Sequence, residues 1–347
     1  MVERTRSRRG AGGRVDGGGN YFAAPKDDID FVPTGCVLLD LALGGGWAER
    51  KVCNIIGDSS SGKTLLATEA MANFLQKYPK GKARFRDVEE AFIPSYARTL
   101  GVDVDKIDFG SGDAPILTVE DLYEDLEAVT AKARRPEFYV VDSLDSLSDR
   151  AELARKFDEP TFGGNKAKQM SQLFRRITSL VEKSNVTLMF ISQVRADIGP
   201  FASARGTKQS GGWAVRFYRS QALYLSTKGK IYKTVRGLKK PLGINVRAYV
   251  DKNRVGLPYR EAEFPILFGY GIDDVAASLD WLKSIKRLDE LGISNTVEKG
   301  ELLKIKRQYT LAEGGPEVPA EEITALVKKN WYEIEEQILP TRRKYGG

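Results

Sequence analysis

The stretch Gly57-Asp58-Ser59-Ser60-Ser61-Gly62-Lys63-Thr64 fits G-x-x-x-x-G-K-[ST], the pattern of a phosphate-binding loop. An apolar run at residues 52–56 precedes it and indicates a buried strand, and apolar residues recur at helical spacing after it. Glycines let the backbone curl around phosphate oxygens, and the new helix adds its positive N-terminal end. A chance match is expected about once in a hundred chains of this length. The flanking strand and helix therefore favour a nucleoside triphosphate site.

Other predicted strands end in polar residues that suit nucleotide chemistry. Glu89, Asp142 and Gln193 each follow an apolar, strand-forming run, and helical patterns separate these runs. Strands that alternate with helices predict an α/β fold with a mostly parallel, helix-flanked sheet. Ligands bind at the carboxyl ends of such strands. We therefore expect these three residues and Gly57 to converge on one edge of the sheet.

Composition sets limits on the class of protein. A chain of 347 residues that is 41% apolar can bury the core of one large domain and a smaller one. The net charge is +7 and the pI is about 9.1, which favours an anionic partner, nucleic acid first, although solubility alone would also explain it. The absence of histidine excludes histidine metal sites and Ser-His triads.

The cysteines and the hydropathy pattern predict a compartment. Cys36 and Cys53 are the two cysteines, and both are expected to pack in the core, which suits a reducing cytoplasm rather than a disulfide framework. No apolar run is long enough to span a bilayer, so no membrane partner is expected.

The chain divides into three predicted segments. Residues 1–30 are a disordered, basic, Gly/Arg-rich segment, which is either a DNA-touching arm or an inert tail. Residues 31–269 form the core, with flexible loops at about 156–166 and 195–212, and residues 270–347 form a small C-terminal α+β domain. Late strands are predicted at 222–226, 244–251 and 261–267 as antiparallel hairpins, and helices at 275–291 and 320–338 around an irregular middle.

Motifs in one order over residues 34–291 resemble those of the RecA-type DNA recombinases of bacteria and phages. They are Thr34-Gly35, Tyr96-Ala97-Arg98, Val140-Val141-Asp142-Ser143, Met170-Ser171-Gln172, Ile191-Ser192-Gln193-Val194-Arg195, Gly211-Gly212 and Lys252-Asn253-Arg254. The resemblance implies a RecA-like P-loop ATPase core that uses ATP and Mg²⁺. It implies a cytoplasmic protein, of phage or plasmid origin if divergent, that polymerises on single-stranded DNA as a helical filament and exchanges strands with double-stranded DNA.

The same resemblance implies roles for individual residues. The catalytic residues would be Glu89, Lys63, Gln193, Lys252 and Arg254. Glu89 would polarise the attacking water, and Glu90 is the rival candidate for that role. Lys252 and Arg254 would reach the γ-phosphate bound in a neighbouring subunit. Nucleotide contacts would come from Gly57, Asp58, Ser59, Ser60, Ser61, Gly62, Lys63, Thr64, Tyr96 and Asp142, with Thr64 and Asp142 on the metal. DNA contacts would come from Lys168, Ser171, Arg175, Arg195, Phe201, Arg205, Lys208, Ser210, Gly211 and Gly212.

Departures from the family pattern leave other functions open. Family members begin with a helix that docks on the next subunit, and a glycine-arginine tail stands in its place here. The bacterial proteins often end in an acidic tail, whereas this chain ends in basic residues. A ring-forming motor or helicase on a RecA core is the alternative function, and a DNA-binding accessory that uses ATP only as a structural ligand is a third.

Overall fold

The buried strand that precedes the phosphate-binding loop lies in the middle of a large mixed sheet. The structure, a computed structural model, describes residues 29–154, 165–196, 207–209, 212–310 and 318–341. Its strands are β1 (Phe31–Val32), β2 (Trp47–Ala48), β3 (Val52–Gly57), β4 (Lys82–Asp87), β5 (Ile107–Asp108), β6 (Glu137–Asp142), β7 (Val186–Ala196), β8 (Thr207–Gln209), β9 (Gln221–Val235), β10 (Leu238–Asn253), β11 (Glu261–Leu267) and β12 (Gly271–Ile272).

Helices connect and cover these strands. They are α1 (Val37–Leu43), α2 (Lys63–Lys77), α3 (Pro94–Thr99), α4 (Val119–Lys132), α5 (Arg150–Ala154), α6 (Asn165–Lys183), α7 (Gly212–Tyr218), α8 (Asp274–Ser284), α9 (Lys299–Thr310) and α10 (Ala320–Ile338). Single 3₁₀ turns lie at Val104–Lys106, Leu144–Ser146 and Leu288–Leu291. Within the described ranges, every helix is too short or too polar to cross a membrane.

The order of the strands confirms the predicted α/β architecture. It runs β12-β11-β10-β9-β3-β7-β6-β4-β5, and β8 pairs with the end of β7. The six strands from β9 to β5 are parallel, and β10, β11 and β12 extend the sheet by antiparallel pairing. The carboxyl ends of β3, β4, β6 and β7 therefore lie at one edge, which is where the parallel pairing predicts a ligand site.

Both faces of the sheet are buried, as the apolar strand β6 shows. Phe138 and Val140 belong to the core on the α1 and α2 side, whereas Tyr139 and Val141 belong to the core on the α4 and α6 side. Side chains alternate between the faces of a strand, so a strand covered on both sides favours apolar residues at successive positions. This packing explains the apolar run of residues 138–141 in β6, which Asp142 ends.

Several boundaries differ from the sequence prediction. The predicted loop at 195–212 contains the end of β7 and the short strand β8, which pair through Val194 and Gln209. Strand β9 runs well beyond its predicted end at 226, and β10 starts well before its predicted start at 244. The two strands therefore form a long ribbon. The predicted irregular middle of the C-terminal segment contains α9, and the predicted helix at 275–291 ends at Ser284.

The C-terminal helices pack on the same core as the sheet. Leu279 and Leu282 of α8, together with Val327 and Trp331 of α10, join the hydrophobic cluster on the α1 and α2 side. Strand β12 pairs with β11 and so belongs to the main sheet. The division of the chain at residue 269 stays a prediction.

A buried glutamine fastens the lead-in segment, residues 43–48 between the end of α1 and β2, to the sheet. Gln221 at the start of β9 is fully buried, and its Oε1 accepts a hydrogen bond of 2.8 Å from the N–H of Ala48. Its Nε2 donates to the carbonyl oxygens of Gly46, at 2.9 Å, and Leu43, at 3.3 Å. These bonds satisfy backbone groups at the end of α1 that water cannot reach.

We expect Gln221→Ala to lower the free energy of unfolding by about 3 kcal/mol, because it leaves several buried polar groups without partners. Urea denaturation followed by circular dichroism measures this change. Ser226→Ala, at an exposed position on the same strand, is the matched control and should stay within about 0.5 kcal/mol of the parent. Equal stability of the two variants would contradict this account of the lead-in segment.

Candidate nucleotide and DNA site

The phosphate-binding loop lies between β3 and α2, as its sequence predicts. A Cβ on Gly57 would lie 2.6 Å from Ser61 Oγ and 2.7 Å from the carbonyl oxygen of Leu225, so only glycine fits there. Gly62, with φ of +94°, takes the left-handed conformation that glycine adopts without strain. Helix α2 begins at the next residue and directs its N-terminal N–H groups into the loop, which suits an anion.

Lys63 is held inside the loop. Its Nζ donates a hydrogen bond of 2.7 Å to the carbonyl oxygen of Asp58, and only 9% of the residue is exposed. Burial lowers the pKa of Lys63, and the carboxylates of Asp142 and Glu89 oppose that shift. An ammonium group placed this way can move from the loop carbonyl to a phosphate oxygen. The negative charge of the phosphate would then compensate for the loss of water around the buried ammonium group.

Thr64 and Asp142 come together from distant parts of the chain. Thr64 Oγ1 donates a hydrogen bond of 2.6 Å to Asp142 Oδ2 at the end of β6. Burial raises the pKa of Asp142 to about 6, and the neighbouring Glu89 and Asp87 carboxylates act in the same direction. A hydroxyl and a crowded, buried carboxylate are the oxygen ligands that Mg²⁺ prefers, so this pair fits the predicted metal position.

Glu89 follows β4 and is oriented by donors from β7 and from the segment that follows β6. Its Oε1 accepts hydrogen bonds from Gln193 Nε2 at 2.7 Å, from Ser146 Oγ at 3.2 Å and from Ser143 Oγ. Glu90, the rival carboxylate, is exposed, has a φ of +54° and lines a separate cleft beside Arg86. The structure thus brings Glu89 together with Gln193, and it leaves Glu90 apart from them.

Asp145 and Ser146 are site residues that the sequence analysis missed, and Ser143 stood there only as part of a motif, without a role. Asp145 Oδ2 accepts a hydrogen bond of 2.6 Å from the N–H of Gln193, and its carbonyl oxygen accepts one of 2.8 Å from Lys166 Nζ. It therefore joins β7 at Gln193 to the first turn of α6. The signal that could have found these residues is their place directly after Asp142, at the edge where the other site residues were expected.

The described structure does not bring Lys252 and Arg254 to their own chain's phosphate loop. Lys252 lies level with Ala222 and so with Asn54 near the start of β3, whereas the loop follows Gly57 at its end. Three residues of strand separate these levels by about 10 Å. The pair therefore lies toward the opposite edge of the sheet from the loop.

This basic pair is anchored at the end of α7. Lys252 Nζ donates to the carbonyl oxygen of Phe217 at 2.7 Å, and Arg254 Nη2 donates to the same oxygen at 2.9 Å. Burial, together with Arg254 and Arg219, lowers the pKa of Lys252 to about 8. Phe217 itself is exposed between them.

Tyr96, the predicted adenine contact, lies on α3 and is half-buried against the core on the α2 side. Its role stays a prediction.

The predicted DNA-binding residues fall into two groups. Lys168 and Arg175 are exposed on α6 and, seven residues apart, lie on one face, with Ser171 near them. Arg195 of β7 pairs with Lys208 of β8, and Gly212 begins α7. Phe201, Arg205, Ser210 and Gly211 lie outside the described residues, as do most of the predicted loop at 156–166 and nearly all of the predicted tail at 1–30.

Sequence comparisons agree with this geometry. The family model of the RecA N-terminal domain matches residues 18–273. The chain belongs to the RecA family. This membership confirms the resemblance that the motifs indicated.

Individual members of the RecA family align over most of the chain. Protein RecA of Prochlorococcus marinus (strain MIT 9211) is 36% identical over 252 residues, and that of Synechococcus sp. (strain CC9902) is 35% identical over the same length. The alignments cover 73% of this chain but 65% and 64% of those relatives, just under two thirds of their length. Protein RecA of Thermus thermophilus is 37% identical, with 73% of this chain and 71% of the relative covered.

We expect Lys63→Ala to abolish ATP binding, with Kd rising by at least about 100-fold, because a charged donor to the phosphates is lost. Equilibrium binding of a fluorescent ATP analogue measures this loss. Lys80→Ala, at an exposed position beyond α2, is the control and should bind as the parent does. Unchanged affinity of the Lys63 variant would show that the nucleotide binds elsewhere.

Proposed function

We propose that this chain is an ATP-dependent DNA recombinase. It polymerises on single-stranded DNA as a helical filament and promotes homologous pairing and strand exchange with double-stranded DNA. Hydrolysis of ATP, stimulated by DNA, takes place between neighbouring copies. The observation that carries the proposal is the hydrogen bond between Glu89 and Gln193. It links a carboxylate beside the phosphate loop to β7, the strand that leads into the predicted DNA-binding segment at residues 195–212.

The chemistry follows from the residues around the loop. Glu89 accepts a proton from water as the water oxygen attacks the γ-phosphorus, and the bond to the β,γ-bridging oxygen breaks to leave ADP and phosphate. Lys63 neutralises charge on the transferred group. Thr64 and Asp142 would hold Mg²⁺, which neutralises phosphate charge when it is bound.

Gln193 has two competing partners in this scheme. In the described structure its amide donates to Glu89, and with ATP bound it can donate to the γ-phosphate instead. The second state releases Glu89 from one of its donors and pulls on the strand that carries Arg195. ATP binding thereby favours one conformation of the DNA-binding segment, so that ATP acts as a conformational ligand as well as a fuel.

The basic pair at the other edge completes the site from a second copy. A head-to-tail contact brings Lys252 and Arg254 of one copy to the phosphate loop of the next, and repeated contacts of this kind give an open filament. Cations that arrive in this way stabilise the charge that develops during phosphoryl transfer. The topology supports this assignment, since the two residues lie at the edge of the sheet away from their own loop.

The test is ATP hydrolysis with and without single-stranded DNA, followed by strand exchange with the same preparation. We expect strong stimulation by the DNA and exchange of homologous strands. Glu89→Gln should bind ATP normally but hydrolyse it at least about 100-fold more slowly, because the water loses its base. Glu90→Gln is the matched control and should hydrolyse ATP at nearly the parent rate.

A rate of ATP hydrolysis that does not change when single-stranded DNA is added would refute the recombinase proposal. Loss of activity in Glu90→Gln alone would assign the role of general base to Glu90. Electron micrographs of the protein on single-stranded DNA with a non-hydrolysable ATP analogue distinguish the alternative function. Open helical filaments support the recombinase, whereas closed rings support a motor or helicase.

A mixing experiment tests the shared site. Glu89→Gln and Arg254→Ala should each be inactive alone. Combined in equal amounts before DNA and ATP are added, they should recover about a quarter of the parent activity, since random head-to-tail assembly joins the two intact halves at one contact in four. Glu89→Gln mixed with Lys63→Ala is the control, and it should recover nothing because both residues lie in the same half-site. Equal recovery in the two mixtures would refute the shared site.

A further inference from the structure

Strands β9 and β10 continue beyond the sheet as a free ribbon of residues 226–242. The pairing of β9 with β3 ends at Leu225, level with Gly57, and the pairing of β10 with β11 begins only at Gly243. Between these points the two strands pair with each other alone. Because β9 is parallel to β3, the ribbon projects from the edge of the sheet that carries the phosphate loop.

The ribbon is a concentrated positive surface. Its cations are Lys228, Lys230, Lys233, Arg236, Lys239 and Lys240, and its sequence contains no aspartate or glutamate. Lys228 pairs with Glu263 at 3.7 Å, whereas the other five form no ion pair among the residues that the structure describes. Among the described residues, Glu263 is thus the one acidic side chain that forms an ion pair with the ribbon, and most of its positive charge is not neutralised.

The positions of the lysines make the ribbon less stable unless an anionic partner binds to it. Lys233 and Lys240 are directly opposite each other across the two strands, an arrangement of like charges that destabilises a ribbon. At the tip, Arg236 and Gly237 both have positive φ values, +51° and +78°, in a two-residue turn. Asparagine or aspartate is usual at the first of these positions. An arginine there instead places a further cation at the apex.

The shape of the ribbon favours a duplex over a single strand. A two-stranded antiparallel ribbon fits the major groove of duplex DNA, with its cations against the flanking phosphates. Proteins that bind single strands offer aromatic rings on which bases stack. The ribbon has one aromatic residue, Tyr232, and Lys239 Nζ already lies 4.7 Å from the centre of its ring. The remaining apolar side chains at the tip, Val235 and Leu238, are aliphatic and exposed.

We propose that the ribbon of residues 226–242 is an arm that binds duplex DNA through its phosphates, independently of the nucleotide site. The choice of DNA as the polyanion rests on the proposed function, and the arm deepens that function by capturing the duplex partner. Contacts to phosphates carry no sequence information, which suits a protein that handles any sequence.

The test measures the affinity for a short fluorescent duplex by anisotropy, without nucleotide, at several salt concentrations. The variant replaces Lys230, Lys233, Lys239 and Lys240 with Gln. The matched control replaces Lys80, Lys82, Lys132 and Lys183 with Gln, because these exposed lysines give the same change of charge away from the ribbon and form no ion pair in the described structure. A second variant replaces the four ribbon lysines with Arg.

We expect the ribbon Gln variant to bind the duplex at least about tenfold more weakly, with a slope of log affinity against log salt reduced by about two to four, since each lost phosphate contact removes about 0.9. The Arg variant and the control should bind as the parent does. Equal losses in the ribbon and control variants would overturn the proposal, as would an equal loss of affinity for single-stranded and duplex DNA in the ribbon variant.

ATP hydrolysis stimulated by single-stranded DNA is measured on the same preparations. The ribbon variant should keep this activity, because its substitutions leave the nucleotide site intact, and retained activity also shows that the variant is folded. A parent protein that binds the duplex through the ribbon but shows no DNA-stimulated hydrolysis would refute the recombinase and spare the arm. A ribbon variant that keeps DNA-stimulated hydrolysis and binds the duplex as tightly as the parent would refute the arm and spare the recombinase.

Discussion

Parallel strands end at the same edge of a sheet, and the whole candidate site depends on that constraint. Gly57, Glu89, Asp142 and Gln193 come from four strands, and their order β3-β7-β6-β4 places them side by side. Two hydrogen bonds then tie the edge together. Thr64 reaches Asp142 across the intervening strand β7, and Gln193 reaches Glu89 across β6. A polar site of this kind is stable at the end of an apolar sheet because its members satisfy one another.

Charges of both signs are held near the loop at some cost. Burial lowers the pKa of Lys63 and raises that of Asp142, so the surroundings disfavour the ionised form of each group. A triphosphate with its divalent cation supplies the charges that would favour both ions. A further pair of cations, Lys252 and Arg254, lies toward the opposite edge of the sheet from the loop.

The prediction from sequence succeeded where a pattern has one structural solution. The run that ends at Asp142 could be buried on both faces only in a parallel sheet, and the loop at Gly57 had its strand and helix beside it. It failed for the ribbon, whose sequence Lys-Gly-Lys-Ile-Tyr-Lys-Thr shows no apolar alternation because neither face is buried. It also missed α9, which buries little besides Leu302 and so lacks a strong helical pattern.

By itself, the sequence determined the phosphate-binding loop, the α/β class and the sheet edge at which Glu89, Asp142 and Gln193 lie, because these follow from local spacing and from the alternation of strands with helices. Only the tertiary structure decided which carboxylate meets Gln193, that Asp145 receives the N–H of that glutamine, and that Lys252 lies away from its own loop. These relations join residues far apart in the chain, and their geometry depends on strand order and register, which no local pattern encodes.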